Sequence, residues 1–328
     1  MISGFRFPVS GFRQALCALP LAWLWFVLIN ELRVEWTVNP QYGYGWAVPL
    51  LCVFLIWQRI QKAKCGSQKV ESGKQKFISA FRFPHFYFLL LLGSAPLYAP
   101  TRLVQEANPG WRLVSWALAI EVVVLTLALL HFAFQTSGKN EFPLSAFRFS
   151  DFVFPVCFFL VAVPWPSLIE QPVIQGLTRA DTSVTAELLG WLGIPAMPHG
   201  NVIEVATGYV GIDEACSGIR SFQATLMISL FLGELYRLTV FRRSVLCLAG
   251  FALSFFFNLA RMSLLVWVAA RKGLAAIASW HDPAGVTILV ACFLCLWGMG
   301  VWLRGKRGAE GGGQRAEGKA ESGGRKGE

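Results

Sequence analysis

The feature that most constrains this chain is the recurrence of long apolar runs, each near the length that crosses a bilayer as a helix. They fall at about 15–29, 43–57, 83–98, 111–134, 152–165, 218–236, 244–270 and 284–303. Hydrocarbon offers no partner to a backbone N–H or C=O, so such runs close their hydrogen bonds internally as helices. The expected fold class is therefore all-α integral membrane, with about eight transmembrane helices. With 55% hydrophobic residues and a mean hydropathy of +0.52, a chain of 328 residues is too apolar for a soluble domain. The runs at 43–57 and 152–165 are short for a span, and Pro96 is expected to break the third run.

Charge sets the orientation. The stretch 58–82 holds Arg59, Lys62, Lys64, Lys69, Lys74, Lys76 and Arg82 against Glu71 alone, which marks it as cytoplasmic. Alternation then puts inside the N-terminus with Arg6 and Arg13, the loop with Lys139 and Arg148, and the turn with Arg237, Arg242 and Arg243. The tail with Arg304, Lys306 and Arg307 falls on the same side. Both termini are thus expected to be cytoplasmic, and the net charge of +10 reflects basic loops rather than a nucleic-acid surface. No small-residue cleavage site follows the first run, which reads as a retained span. Residues 1–303 form the membrane domain, and the Gly- and charge-rich stretch 304–328 is expected to be a disordered tail.

The longest interval that is not apolar, 166–215, lies outside by the same alternation, ahead of the sixth helix. Its first half, with TAELLGWL from Thr185 to Leu192, suits an amphipathic helix on the membrane surface. From Asn201 to Ile212, β-branched residues mixed with glycine suit an extended or hairpin path. A short element repeats as SGFRFP from Ser3, SAFRFP from Ser79 and SAFRFS from Ser145, each time before a span. An Arg between two Phe fits an interfacial anchor, and a spread repetitive insertion fits equally; the irregular period excludes a solenoid.

The chemistry gathers on the outer side. Of eight cysteines, Cys17, Cys52, Cys157, Cys247, Cys292 and Cys295 sit in apolar runs and read as packing residues. No paired-His motif or regular cysteine framework appears, so neither a metal site nor a cofactor is expected. Cys216 differs, because it stands just ahead of a helix N-terminus, where unsatisfied N–H groups and the dipole favour a thiolate. Arg261 lies inside the seventh run, about nine residues or roughly 13 Å of helix from its outer end. An Arg there costs about 2.5 to 3.5 kcal/mol on insertion scales and normally meets a partner or a wet cavity. His281 precedes the eighth run. Cys with His makes an activated nucleophile and an acid for the leaving amine, and Arg supplies fixed positive charge for an oxyanion. The set reads as a thiol acyl-transfer site, while Ser217 beside Gly218 keeps a rhomboid-like serine peptidase open.

EACSGIRS at Glu214 to Ser221, NLAR at Asn258 to Arg261 and HDPAG at His281 to Gly285 together resemble the signature blocks of the exosortase/archaeosortase family. They stand in the expected order, and the resemblance covers a core of about 166–303. It implies Cys216 as nucleophile, Arg261 as the residue stabilising substrate or oxyanion, and His281 as acid/base. Glu214, Ser217, Gly218, Asn258 and Asp282 would assist; Glu214 or Asp282 would orient His281 or pair with Arg261, and Asp213 reads as a solvated carboxylate. It implies a membrane cysteine protease or transpeptidase for exported proteins ending in a short motif such as Pro-Glu-Pro, a transmembrane helix and a basic cluster. The partners would be those proteins, membrane lipid and exopolysaccharide machinery, but no nucleic acid. The location would be the cytoplasmic (inner) membrane, with the site facing the periplasm or exterior. The alternative from another class is a transporter or exopolysaccharide-export component, with Arg261 and Glu121, in the middle of the fourth run, lining a path. No inverted repeat supports it.

Overall fold

The computed structural model describes residues 9–66, 84–136, 149–211 and 218–324. Among them nine α-helices follow in order: α1 Val9–Val38, α2 Ala47–Gly66, α3 Pro84–Ala107, α4 Arg112–Thr136, α5 Ser150–Phe158, α6 Ser167–Trp191, α7 Ile219–Leu235, α8 Val240–Lys272 and α9 Ala276–Gly324. Short 3-10 turns at Pro40–Trp46 and Phe159–Ala162 precede α2 and follow α5. Each apolar run falls on its own helix, and α6 takes the place of the expected surface helix. The FRF repeats lie wholly or mostly outside the described residues.

Four of the described helices are long and apolar enough to cross a membrane: Pro40–Lys62, Arg112–His131, Val240–Lys272 and Ala276–Gly305. Ser150–Ala162 with Ser167–Trp191 makes a fifth if the pair is one broken span. A multi-pass helical membrane protein is thus established, and these are the qualifying spans among the described residues. α7 has 17 residues, roughly 26 Å of helix against a hydrocarbon layer of about 30 Å. α1 carries Glu31, Arg33 and Glu35 in its second half. α3 does not break at Pro96; it runs through both Pro96 and Pro100.

The chain divides into two compact units, 1–167 and 168–328. In the first, Pro164 and Pro166 deny the chain a helical continuation after Ala162, which leaves a series of backbone carbonyls without ladder partners. Side chains supply the donors. Trp36 Nε1 donates to Ala162 O at 2.8 Å, Trp116 Nε1 to Pro164 O at 2.8 Å, Arg112 Nη1 to Trp165 O at 3.2 Å, and the Tyr44 hydroxyl to Val161 O at 3.3 Å. The fully buried Tyr42 accepts from the Trp165 N–H at 3.1 Å. Gly45 is glycine because a Cβ there would overlap the Trp36 indole.

The second unit begins with α6, whose inward stripe Ile174, Thr178, Asp181, Thr185 and Leu189 follows the spacing of one helical face. Gly193, at φ 73°, ends the helix: the Ile194 N–H returns to Leu189 O and the Gly193 N–H to Gly190 O. Three short strands follow, β1 Ala196–His199, β2 Val202–Val205 and β3 Gly208–Gly211, antiparallel in the order β1-β2-β3. Gly200 at φ 63° opens the two-residue turn between β1 and β2, as a II′ hairpin requires. The extended path expected from Asn201 is β2 and β3, and β1 is an addition to it. This sheet is the one departure from an all-helical fold among the described residues. Ile203, Val205 and Val210 pack with Leu189 and Ile194 and with Met262, Val266 and Ala269 of α8. Leu232, Leu246, Cys292, Leu296 and Leu303 join α7, α8 and α9 in a separate core. Cys292 and Cys295, a C-x-x-C spacing on α9, are free thiols, one buried and one exposed. α9 continues to Gly324, into the stretch expected to be a tail, and its side chains from 306 onward lie outside the described residues.

Candidate active site

Strand β3 ends at Gly211, and the described chain resumes at Gly218. Cys216, Ser217, Glu214 and Asp213 therefore lie outside the described residues. Gly218 is the N-cap of α7, at φ 76°. That left-handed conformation favours glycine, and a second constraint acts as well. A Cβ at this position would come within 2.8 Å of Asn258 Cγ and 2.9 Å of its Nδ2. The backbone that leads out of the Cys216 segment thus rests directly on the Asn258 amide.

Asn258 and Arg261 stand one turn apart on α8 and reach different partners. Asn258 is buried, 3% exposed, and its Nδ2 donates to Asp181 Oδ2 at 2.6 Å. Arg261 Nη2 lies 2.7 Å from His281 Nε2, which joins residues of α8 and α9 that are distant in sequence. A guanidinium has donors only, so Nε2 must accept. The imidazole proton is then on Nδ1, which donates to Asp282 Oδ1 at 3.0 Å. Arg261, His281 and Asp282 form one directed chain of hydrogen bonds, ending on a carboxylate whose side chain is 90% exposed. Gly285, one turn beyond His281, faces the same guanidinium, with its Cβ position 4.0 Å from Arg261 Cζ.

Of the residues expected from sequence, Arg261, His281 and Asp282 meet in one contact chain, and Gly218 meets Asn258 in another. One expectation is corrected. His281 is not in a loop before the last span but inside α9, which begins at Ala276. α8 ends at Gly273, φ 88°, and the Ala276 and Ile277 N–H groups close on Gly273 O and Leu274 O, so the new helix starts within two residues. Glu121, whose partner the sequence left open, accepts from the Thr101 hydroxyl at 2.8 Å rather than from a basic group.

Asp181 escaped the sequence reading. It is 1% exposed, and its Oδ1 has no hydrogen-bond partner. A small cavity bounded by Asp181, Gly218, Phe222, Ser254 and Asn258 adjoins it. The available signal was its register: on an amphipathic helix, an Asp spaced from Ile174, Thr178 and Leu189 belongs to the buried face. Among the described residues no cluster of His, Cys, Asp and Glu is placed to hold a metal ion.

A family model described as transmembrane exosortase (Exosortase_EpsH) matches residues 36–298, well over half of the chain. No curated protein and no solved structure matches.

Proposed function

Because the chain belongs to the transmembrane exosortase family, we propose that it is a membrane cysteine transpeptidase or protease acting on C-terminal sorting signals of exported proteins. Cys216 is the nucleophile. Its thiolate attacks the scissile carbonyl, and the oxyanion that forms is met by the donors of Arg261. His281, in the tautomer with Nε2 unprotonated, takes the thiol proton on Nε2 as Arg261 turns its N–H from that nitrogen to the oxyanion, and returns the proton to the leaving amine. The C–N bond breaks, a thioester on Cys216 remains, and water or an acceptor amine resolves it. Asp282 holds the imidazole by its Nδ1–H.

The observation that carries this reading is the 2.7 Å approach of Arg261 to His281, which brings a costly intramembrane Arg and the family's third motif block to one point. Glu214 and Ser217 are assigned as supporting residues of the Cys216 block, with Gly218 and Asn258 beneath it. The substrate tail is a short motif such as Pro-Glu-Pro, an apolar helix and a basic cluster, arriving through the membrane. The layout that suits it has eight crossings, both termini cytoplasmic and the site on the outer face of the inner membrane, beside exopolysaccharide machinery. The segregation of Lys and Arg supports this orientation.

The test follows the size of a reporter ending in that tripartite tail, in membranes carrying the protein, Cys216→Ala or Cys216→Ser. Processing is expected to stop in both variants while insertion persists. Continued processing in Cys216→Ala removes the mechanism.

A further inference from the structure

Resting on the reading of Cys216 as nucleophile, we infer that Asp181 is a positioning residue for the site: through Asn258 it fixes the backbone at Gly218, two residues from Cys216 in the sequence. The contacts run in series. Asp181 Oδ2 accepts from Asn258 Nδ2 at 2.6 Å, a short N–H···O bond. This bond ties the Asn258 amide on α8 to α6. Gly218 packs on that same amide so closely that a Cβ would meet Cγ at 2.8 Å. An amide rotated by loss of its acceptor would therefore press on the Gly218 backbone. In sequence, Gly218 is two residues from Cys216.

Burial argues that the pair is specific rather than incidental. Asp181 is 1% and Asn258 3% exposed, and Asp181 Oδ1 has no hydrogen-bond partner. A carboxylate so placed is costly, and hydrophobic residues of similar volume would pack on this stripe of α6 more cheaply.

The test measures Cys216 alkylation by a membrane-impermeant maleimide in the full-length protein in membranes, with Cys216→Ala as background, together with kcat and KM for the tailed reporter. Asp181→Leu is expected to slow alkylation at least tenfold and to lower kcat on the order of 10²-fold, with KM little changed, as a displacement of about 1 Å would. Asp181→Asn keeps an acceptor for Asn258 and should recover most of both. Combined with Asn258→Leu, Asp181→Leu should add little, because the two act through one contact. Unchanged alkylation and kcat in Asp181→Leu, or fully additive effects in the double variant, overturn the inference. If Asp181→Leu fails to insert, Asn258→Leu decides: a tenfold slower alkylation supports the inference, and alkylation at the wild-type rate means a structural carboxylate only. If Cys216→Ala itself leaves processing intact, the proposed function fails instead, and the two failures stay distinct.

Discussion

The two units treat their buried polar groups in opposite ways. In residues 1–167 the carbonyls freed by Pro164 and Pro166 are met one by one by Trp36, Trp116, Arg112 and Tyr44, and Arg102 is paired with both Glu31 and Glu106, at 2.7 and 3.0 Å. In residues 168–328 the described side chains of Asp181, Thr185, Gln223 and Ser263 keep buried atoms with no partner. Buried polar atoms are nearly always satisfied when their role is architectural, and exceptions collect where a site must receive something. The difference separates a unit built to stay closed from one that holds the candidate chemistry.

The largest effect expected to sharpen this contrast is on Arg261. Arg261→Ala removes the donor from His281 Nε2 and should lower kcat by about 10² to 10³-fold, the range for losing one oxyanion donor. Arg261→Lys should recover little, since a single ammonium does not reproduce a planar fork of donors. Reporter processing measured in membranes checks both. If Arg261→Ala processes at the wild-type rate, unsatisfied groups in this unit mark nothing catalytic.

Next in size is a change in the closed unit. Trp36→Phe keeps one aromatic ring but removes the indole N–H and strands Ala162 O, and should destabilise the protein by about 1 to 3 kcal/mol in thermal or denaturant unfolding. Maleimide labelling of Cys216 in the folded fraction should stay at the wild-type rate. A labelling defect without a stability loss would erase the distinction between the units.

A smaller effect is expected at Asp282. The carboxylate is 90% exposed, so Asp282→Asn should reduce kcat no more than about fivefold, in line with solvent-screened pairs. The loss should shrink as salt is raised, because exposed charges are screened. A hundredfold loss would mean that the imidazole depends on this partner more than its exposure allows.

How much of this was legible in sequence depends on the kind of signal. Helix positions were, because apolar runs of span length admit few other folds in a membrane. Where each helix ends was less so: α3 runs through Pro96 and Pro100, and α7 has 17 residues, shorter than the hydrocarbon layer. Arg261 and His281 could be singled out by cost and by motif, and the structure joins them, yet their contact depends on α9 beginning at Ala276, a boundary hidden in the polar ASWHD. β1 was missed because Ala196-Met-Pro-His carries no strand alternation of its own and is recruited by pairing with β2. Asp181 was missed for a different reason. A lone Asp on a mixed helix reads as solvated until the partner of its face is known.

Glu121 is where the contrast is most exposed, since it is the one described side chain of the closed unit with a buried atom, Oε2, that has no partner. Its other oxygen accepts from Thr101 at 2.8 Å, an arrangement that ties α4 to α3 and needs only an acceptor. Glu121→Gln retains that acceptor and places an amide where the unpartnered oxygen was. Processing is therefore expected within about twofold of wild type, since exchanging one partner of a single neutral-donor hydrogen bond is worth little when the acceptor survives. A transport or export role makes the opposite demand. There the charge of Glu121 would line the path, Glu121→Gln would stop function, and Cys216→Ala would not. The pair of variants, scored on reporter processing and on growth-medium polysaccharide, thus places the working chemistry in one unit or the other.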